Sequence, residues 1–192
     1  MKNATEFYQN SIKNHKPSPL IAAFFRNKYN EKLPGKTAID IGCGAGNDTI
    51  FLLNKGFKVT AIDNEPQVEE LLKDRVEDAS NLEIIIDDFS RIIIPKADLI
   101  FSNFSLFFVK NNFKSLMKKI LENINKNGFF AGNFLGEDDD WKKSKTVLKK
   151  DELLSYFSKY KIMYFSEEKY YKDTITKKQK FWHVYTIIAQ KK

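Results

Sequence analysis

The run Thr37-Ala-Ile-Asp-Ile-Gly-Cys-Gly-Ala-Gly-Asn47 decides the fold of this 192-residue chain. Its first five residues are a short, mostly apolar segment that ends at a glycine cluster, the pattern of a buried parallel strand. Glycines there let the backbone turn sharply and approach a ligand with no Cβ in the way. Beyond the turn, Asn47 or Asp48 can N-cap a helix from Thr49 to Lys55, with Gly56 just after its end. Lys58-Val-Thr-Ala-Ile-Asp63 reads as a second strand, followed by a helix from Pro66 to about Asp78. Leu82 to Asp87 and Ala97 to Asn103 are the third and fourth strands. Asn112 to Asn125 carries Phe113, Leu116, Met117, Ile120, Leu121 and Ile124 at helical spacing, and Gly128 is expected to stop it. Phe129 to Leu135 is the fifth strand. A polar stretch from Gly136 to Lys150 leads to a helix from Asp151 to Tyr160, then strands over Ile162 to Tyr171 and Phe181 to Ala189.

Repeated strand–helix units predict a Rossmann-like three-layer α/β/α sandwich with a mostly parallel sheet and right-handed crossovers. Two closing strands with no helix between them predict a hairpin at one sheet edge. The expected organisation is a single domain over 1–192. Residues 1–30 would form a helical cover, 31–135 the nucleotide-binding core, and 136–192 an acceptor-side helix with the hairpin. Sheets of this kind bind ligands beyond the C-terminal ends of their strands, where the strand order reverses. The candidate site residues fall at those ends.

In Asp40-Ile-Gly42-Cys43-Gly44-Ala-Gly46-Asn47 the glycines alone are compatible with several nucleotides. A dinucleotide fingerprint would require glycine at position 47, where this chain has Asn47. Asp40 precedes the first glycine by two residues. A carboxylate there is badly placed for a pyrophosphate and well placed for a ligand bearing a sulfonium and an ammonium. Asp63, followed by Asn64, ends the second strand and can accept hydrogen bonds from both hydroxyls of a ribose. It lies near the roughly 20-residue spacing expected for a ribose-binding acid.

On these residues the chain resembles the class I S-adenosylmethionine (SAM)-dependent methyltransferases, whose first motif is [D/E]-x-G-x-G-x-G. The resemblance implies a seven-stranded sheet with an antiparallel last strand, SAM as cofactor and S-adenosylhomocysteine as product. It implies that Asp87 or Asp88 takes the adenine amino group while Phe89 packs on the ring, with Asp88 favoured. It also implies that Asn103, Phe104, Ser105 and Phe107, after the fourth strand, line cofactor and acceptor, and that Tyr8 folds over the cofactor. Cys43 would be a small residue beneath it. A closer resemblance, to small bacterial methyltransferases related to the tellurite-resistance methyltransferase, rests on several stretches. They are Phe7-Tyr8, Lys16-Pro-Ser-Pro-Leu20, Ala45-Gly-Asn-Asp48, Gly132-Asn-Phe-Leu-Gly-Glu-Asp-Asp-Asp-Trp141 and Phe181-Trp-His-Val-Tyr185. That group carries a proline where this chain has Leu106 or Phe107.

Methyl transfer from SAM needs alignment of the acceptor and exclusion of water more than acid–base chemistry. A soft sulfur, selenium or tellurium acceptor needs no base, while a nitrogen or hydroxyl acceptor can require one. His183, beside Trp182 in the last strand, is the candidate base, against the alternative of a histidine packed in a sheet. Trp141, in Glu137-Asp-Asp-Asp-Trp141, is either part of a lid or a surface anchor. Trp141 and Trp182 are the remaining acceptor-side candidates.

Composition narrows the function classes. The net charge is +7, yet of 32 basic residues only Arg26, Arg75 and Arg91 are arginine. Nucleic-acid readers favour the arginine fork, so the lysines read as a solvated surface and nucleic acid is not the expected partner. The segment Asn103-Phe-Ser-Leu lacks the [D/N/S]-P-P-[Y/F/W] motif of amino-methylating enzymes that act on bases. One cysteine, Cys43, and two histidines, His15 and His183, leave no material for a zinc cluster, so no metal is expected. No apolar run reaches the roughly 18 residues of a membrane span, and no signal-peptide core follows Met1. The expected protein is a cytoplasmic enzyme, monomer or homodimer, acting on a small molecule. An RNA or protein acceptor, a non-catalytic SAM-binding module and a NAD(P)-dependent oxidoreductase are the alternatives.

Overall fold

The computed structural model describes residue 8 and residues 11–12, 16–27, 35–174 and 177–192. Helix α1 spans Pro19–Asn27 and strand β1 spans Thr37–Ile41. There follow α2 (Asn47–Asn54), β2 (Lys58–Asp63), α3 (Gln67–Arg75), β3 (Leu82–Ile86) and β4 (Ala97–Ser102). A 3-10 helix at Leu106–Phe108 precedes α4 (Phe113–Glu122) and β5 (Ile124–Gly136). A second 3-10 helix (Asp140–Lys143), β6 (Val147–Leu148), α5 (Lys150–Tyr156), β7 (Tyr160–Asp173) and β8 (Gln179–Lys191) complete the chain.

The strands form one sheet in the order β3-β2-β1-β4-β5-β8-β7, with two-residue β6 paired off this path to β5. β1 to β5 run parallel, with Ala38 opposite Val59 on one side and Leu99 on the other. β8 is antiparallel to both β5 and β7. This is the Rossmann-like sandwich expected, with β6 as an eighth strand beyond the seven. The order reverses at β1, so the C-terminal ends of β1, β2 and β4 open onto one crevice.

Side chains alternate between faces with the period of the pleat. Phe130 and Phe134 of β5 join Ile39, Ile41 and Ile187 in a core with Met117 and Ile120 of α4 and Leu153 of α5. Phe129 and Ala131 pack on the opposite face with Leu99, Phe101 and Ile188, beneath Ile21, Phe24 and Phe25 of α1 and Leu52 of α2. Burying each such Phe or Leu contributes about 1.5–3 kcal/mol. That is enough to make the two-sided burial of this sheet dominate over weak helix propensities in the short flanking elements.

Several boundaries depart from the sequence expectation. Gly46, with φ 80°, occupies the N-cap position of α2, so Asn47 and Asp48 fall inside the helix and their side chains serve other partners. Helix α3 stops at Arg75, because Val76 is extended. Gly128 does not stop a helix. α4 ends at Glu122, and Gly128 lies within β5 where a Cβ would meet the carbonyl oxygens of Asn125 and Asp98 at 2.9 Å. Helix α5 is shorter than expected because Tyr160 already begins β7. The helical cover expected over 1–30 lies partly outside the described residues, as do Phe7 and His15. No helix among the described residues is long and apolar enough to cross a membrane.

Candidate functional site

The glycine turn after β1 is tied to the end of β2. Gly42 and Cys43 both donate to the Ile62 carbonyl, at 2.7 and 3.1 Å, and Gly44 N donates to Asp63 Oδ2 at 2.8 Å. Gly42 has φ 73°, and a Cβ there would lie 2.2 Å from Ser105 Cβ. The first glycine is therefore required twice, by its backbone conformation and by the close passage of the chain after β4. Ser105 is held in place by donating to the Ile41 carbonyl at 2.6 Å and by Ser102 Oγ at 2.6 Å.

Asp40 is buried beneath this turn, where Thr49 Oγ1 donates to its carboxylate at 2.7 Å. Among the described residues no cation pairs with it. Burial first, then the neighbouring charge of Asp48, pushes its pKa up to about 8. A buried acid in that condition fits a cationic ligand. Asp63 is also buried, with Oδ1 accepting from Glu65 N at 3.1 Å. Each carboxylate oxygen has two lone pairs, so both retain capacity for hydroxyl donors.

A cleft of about 2220 Å³ runs along these strand ends. Typical small-molecule pockets hold about 300–1,000 Å³, so there is room for a nucleoside and a second reactant. Asp40, Gly42, Cys43, Gly44, Asp63, Asn64, Asp88, Phe89, Asn103, Phe104, Ser105, Phe107, Tyr8, Trp141 and Trp182 all border it. Of the predicted residues Gly46, Asp87 and His183 do not. Gly46 shapes the start of α2, and Asp87 Oδ1 accepts from Asp88 N at 2.7 Å, so Asp88 is the acid of this pair at the cleft. Tyr8 is buried in the same apolar cluster as Cys43, Ala45 and Leu72. Burial, reinforced by Asp63 and Glu65, pushes its phenol well above the ordinary range.

His183 is not brought to the cleft. It is 1% exposed, its Nδ1 accepts from Asp138 N at 3.2 Å, and its Nε2 lies 3.0 Å from Glu167 Oε1. With Nδ1 accepting, Nε2 carries the proton donated to Glu167. Both ring nitrogens are thus occupied in pinning β7 and β8 to the turn after β5, which is the packed-histidine alternative.

Part of the cleft lining is aromatic. Phe104, Phe107, Trp141 and Trp182 form a closed circuit, with successive ring centroids 6.3, 6.0, 5.2 and 5.8 Å apart. Phe104 adopts φ 53°, a strained conformation for a side-chain-bearing residue. Phe108 is instead 53% exposed, under Lys145 Nζ at 3.9 Å. Lys180 Nζ lies 3.6 Å from the Trp182 centroid and 4.6 Å from that of Trp141. It donates to both oxygens of fully buried Asp139 at 2.6 Å.

Several supporting residues escaped sequence reading. Arg75 donates to the Ala45 carbonyl and to Asn47 Oδ1 at 2.8 Å, clamping the glycine turn, while Asn47 Nδ2 donates to the Ser11 carbonyl at 2.9 Å. Asp48 Oδ1 accepts from Ser18 N at 2.6 Å and anchors the Lys16-Pro-Ser-Pro segment over the cleft. An arginine in a lysine-dominated chain was an available signal for Arg75. Nothing in the acidic run 137–140 distinguished Asp139. Among the described residues no group of three His, Cys, Asp or Glu is placed to hold a metal.

Residues 38–128, just under half of the chain, match the methyltransferase-domain family model. The chain is 37% identical over 73 residues to a probable ribosomal RNA small subunit methyltransferase A of Methanosarcina mazei, covering 38% of this chain and 27% of that protein. It is 32% identical over 105 residues to a dimethyladenosine transferase of Yarrowia lipolytica, covering 53% and 32%. The chain thus spans about a third or less of the length of these curated relatives. TehB from Haemophilus influenzae superposes with a TM-score of 0.71 at 20% identity, covering 88% of this chain and 66% of that one. The fold is that of the class I SAM-dependent methyltransferases. In fold the chain resembles TehB.

Proposed function

We propose that this chain is a SAM-dependent methyltransferase acting on a small molecule, soft sulfur, selenium or tellurium nucleophiles included. The observation that carries the reading is Asp40, a buried carboxylate with no cation partner among the described residues, set beside the glycine turn and Asp63 in one cleft. Asp40 would face the cationic end of the cofactor, Asp63 its ribose, and Asp88 with Phe89 its adenine. When bound, SAM supplies a methyl group on a sulfonium whose departure leaves a neutral thioether. The protein's contribution is to orient the acceptor between the aromatic side chains and the strand ends and to keep water out. His183 lies outside the cleft, so the reading favours an acceptor that arrives as a nucleophile.

An RNA acceptor is the second reading, favoured by the printed function of the ribosomal RNA methyltransferases that the chain matches. Methyl incorporation from labelled SAM separates the two, with small thiols, selenite, tellurite and amines in one arm and small-subunit ribosomal RNA in the other. For the cofactor, thermal unfolding with SAM, S-adenosylhomocysteine or NADH is the direct test. Ligand at 100 times its dissociation constant adds about 2.7 kcal/mol, a shift of several degrees. A shift with NADH alone would sink the reading.

Asp40 also sets a pH dependence. Below about pH 8 it is largely protonated in the free protein, and a bound cation favours its ionised form. Binding therefore releases a proton. Affinity for SAM should rise with pH by up to about tenfold per unit and level off above about pH 8. Calorimetry between pH 6 and 9, in buffers of different ionisation heat, reads both affinity and proton release. A flat profile with no proton released would show that Asp40 does not meet the cation.

A further inference from the structure

Asn133 of β5 is 5% exposed and borders the cleft. Its Nδ2 donates to Thr186 Oγ1 of β8 at 2.9 Å, and its Oδ1 is buried without a hydrogen-bond partner. Either orientation of the amide leaves one polar atom without a partner, and with Nδ2 bonded to Thr186 that atom is the acceptor Oδ1. A buried amide oxygen left unpaired works against folding, so the position is explained by a group that arrives later. The surroundings say which kind. Leu135, one same-face step along β5, and Val184, the same step along β8 from Thr186, pack in one cluster with Phe107, against which Phe104, Trp141 and Trp182 lie. Asn133 and Thr186 therefore sit one same-face step from the cluster that the aromatic circuit joins, and both border the same cleft. The cation that this circuit would attract is already present as Lys180, with its charge matched by Asp139.

We propose that Asn133 is an acceptor-binding residue that selects a neutral aromatic molecule carrying an N–H or O–H group, donated to Asn133 Oδ1. The inference rests on the methyltransferase reading above and narrows its substrate class. The donor group need not be the atom that is methylated.

The test uses the full chain saturated with S-adenosylhomocysteine, so that no turnover occurs. The probes are two matched pairs, phenol with anisole and aniline with N,N-dimethylaniline, and binding is read by thermal unfolding. The unmodified protein should prefer each donor over its methylated partner by on the order of tenfold. Asn133→Leu should abolish that preference and keep the S-adenosylhomocysteine shift. Without ligand its unfolding midpoint should change little, because losing the hydrogen bond to Thr186 offsets the removal of an unpaired buried oxygen. Donor preference that survives in Asn133→Leu overturns the proposal. So does a protein that responds to S-adenosylhomocysteine and to none of the four probes. A protein that fails to respond to S-adenosylhomocysteine at all brings down the methyltransferase reading, and this inference with it.

Discussion

Lys180→Met should destabilise the protein by about 3–5 kcal/mol, the cost of stripping the counter-charge from a buried carboxylate. Asp139 is 0% exposed and accepts from Lys180 Nζ, from Trp141 N at 2.9 Å and from His183 N at 3.1 Å. The two backbone donors cannot neutralise it. Methionine matches the lysine stem in length, so little packing is lost with the ammonium. The cation–π contacts with Trp141 and Trp182 also disappear. Urea unfolding at fixed pH measures the loss. Adding Asp139→Asn removes the stranded charge, so the double variant should recover much of the stability that the single variant forfeits. A loss below about 1 kcal/mol for Lys180→Met would mean that the pair behaves like a surface ion pair.

Gly42→Ala should cost on the order of 3 kcal/mol and abolish the thermal response to S-adenosylhomocysteine. Holding an alanine at φ 73° costs roughly 1–2 kcal/mol, and overpacking adds a similar amount. The new methyl group would overlap Ser105 Cβ at 2.2 Å and Oγ at 2.6 Å. Ser105 cannot retreat freely, because its hydroxyl is bonded to the Ile41 carbonyl. The clash therefore moves the turn itself, along with Gly44 N and its bond to Asp63. Ser105→Gly in the same chain opens the space but leaves the backbone strain, so it should restore part of the stability. If Gly42→Ala keeps both its unfolding midpoint and its ligand shift, the close passage of the two strand ends plays no part in the site.

The sequence by itself determined the alternation of strands and helices, the glycine turn after β1 and the acids at the ends of β1, β2 and β3. These are local patterns: hydrophobic period, turn chemistry and short spacings fall within a few residues of one another. Phe104 as a cofactor candidate and Phe107, Trp141 and Trp182 as acceptor-side candidates could be singled out from the sequence, but their closure into one circuit could not, since it brings together three separate segments. Only the tertiary structure showed where His183 sits, because its partners Asp138 and Glu167 come from a turn and a neighbouring strand. It alone chose Asp139 from four consecutive acids, by burying that one against Lys180, 41 residues later. Asn133 followed the same rule. An amide in a strand carries no sign of whether its second polar atom will find a partner, because the answer depends on strands and loops distant in sequence. Non-local pairing and burial decide such questions.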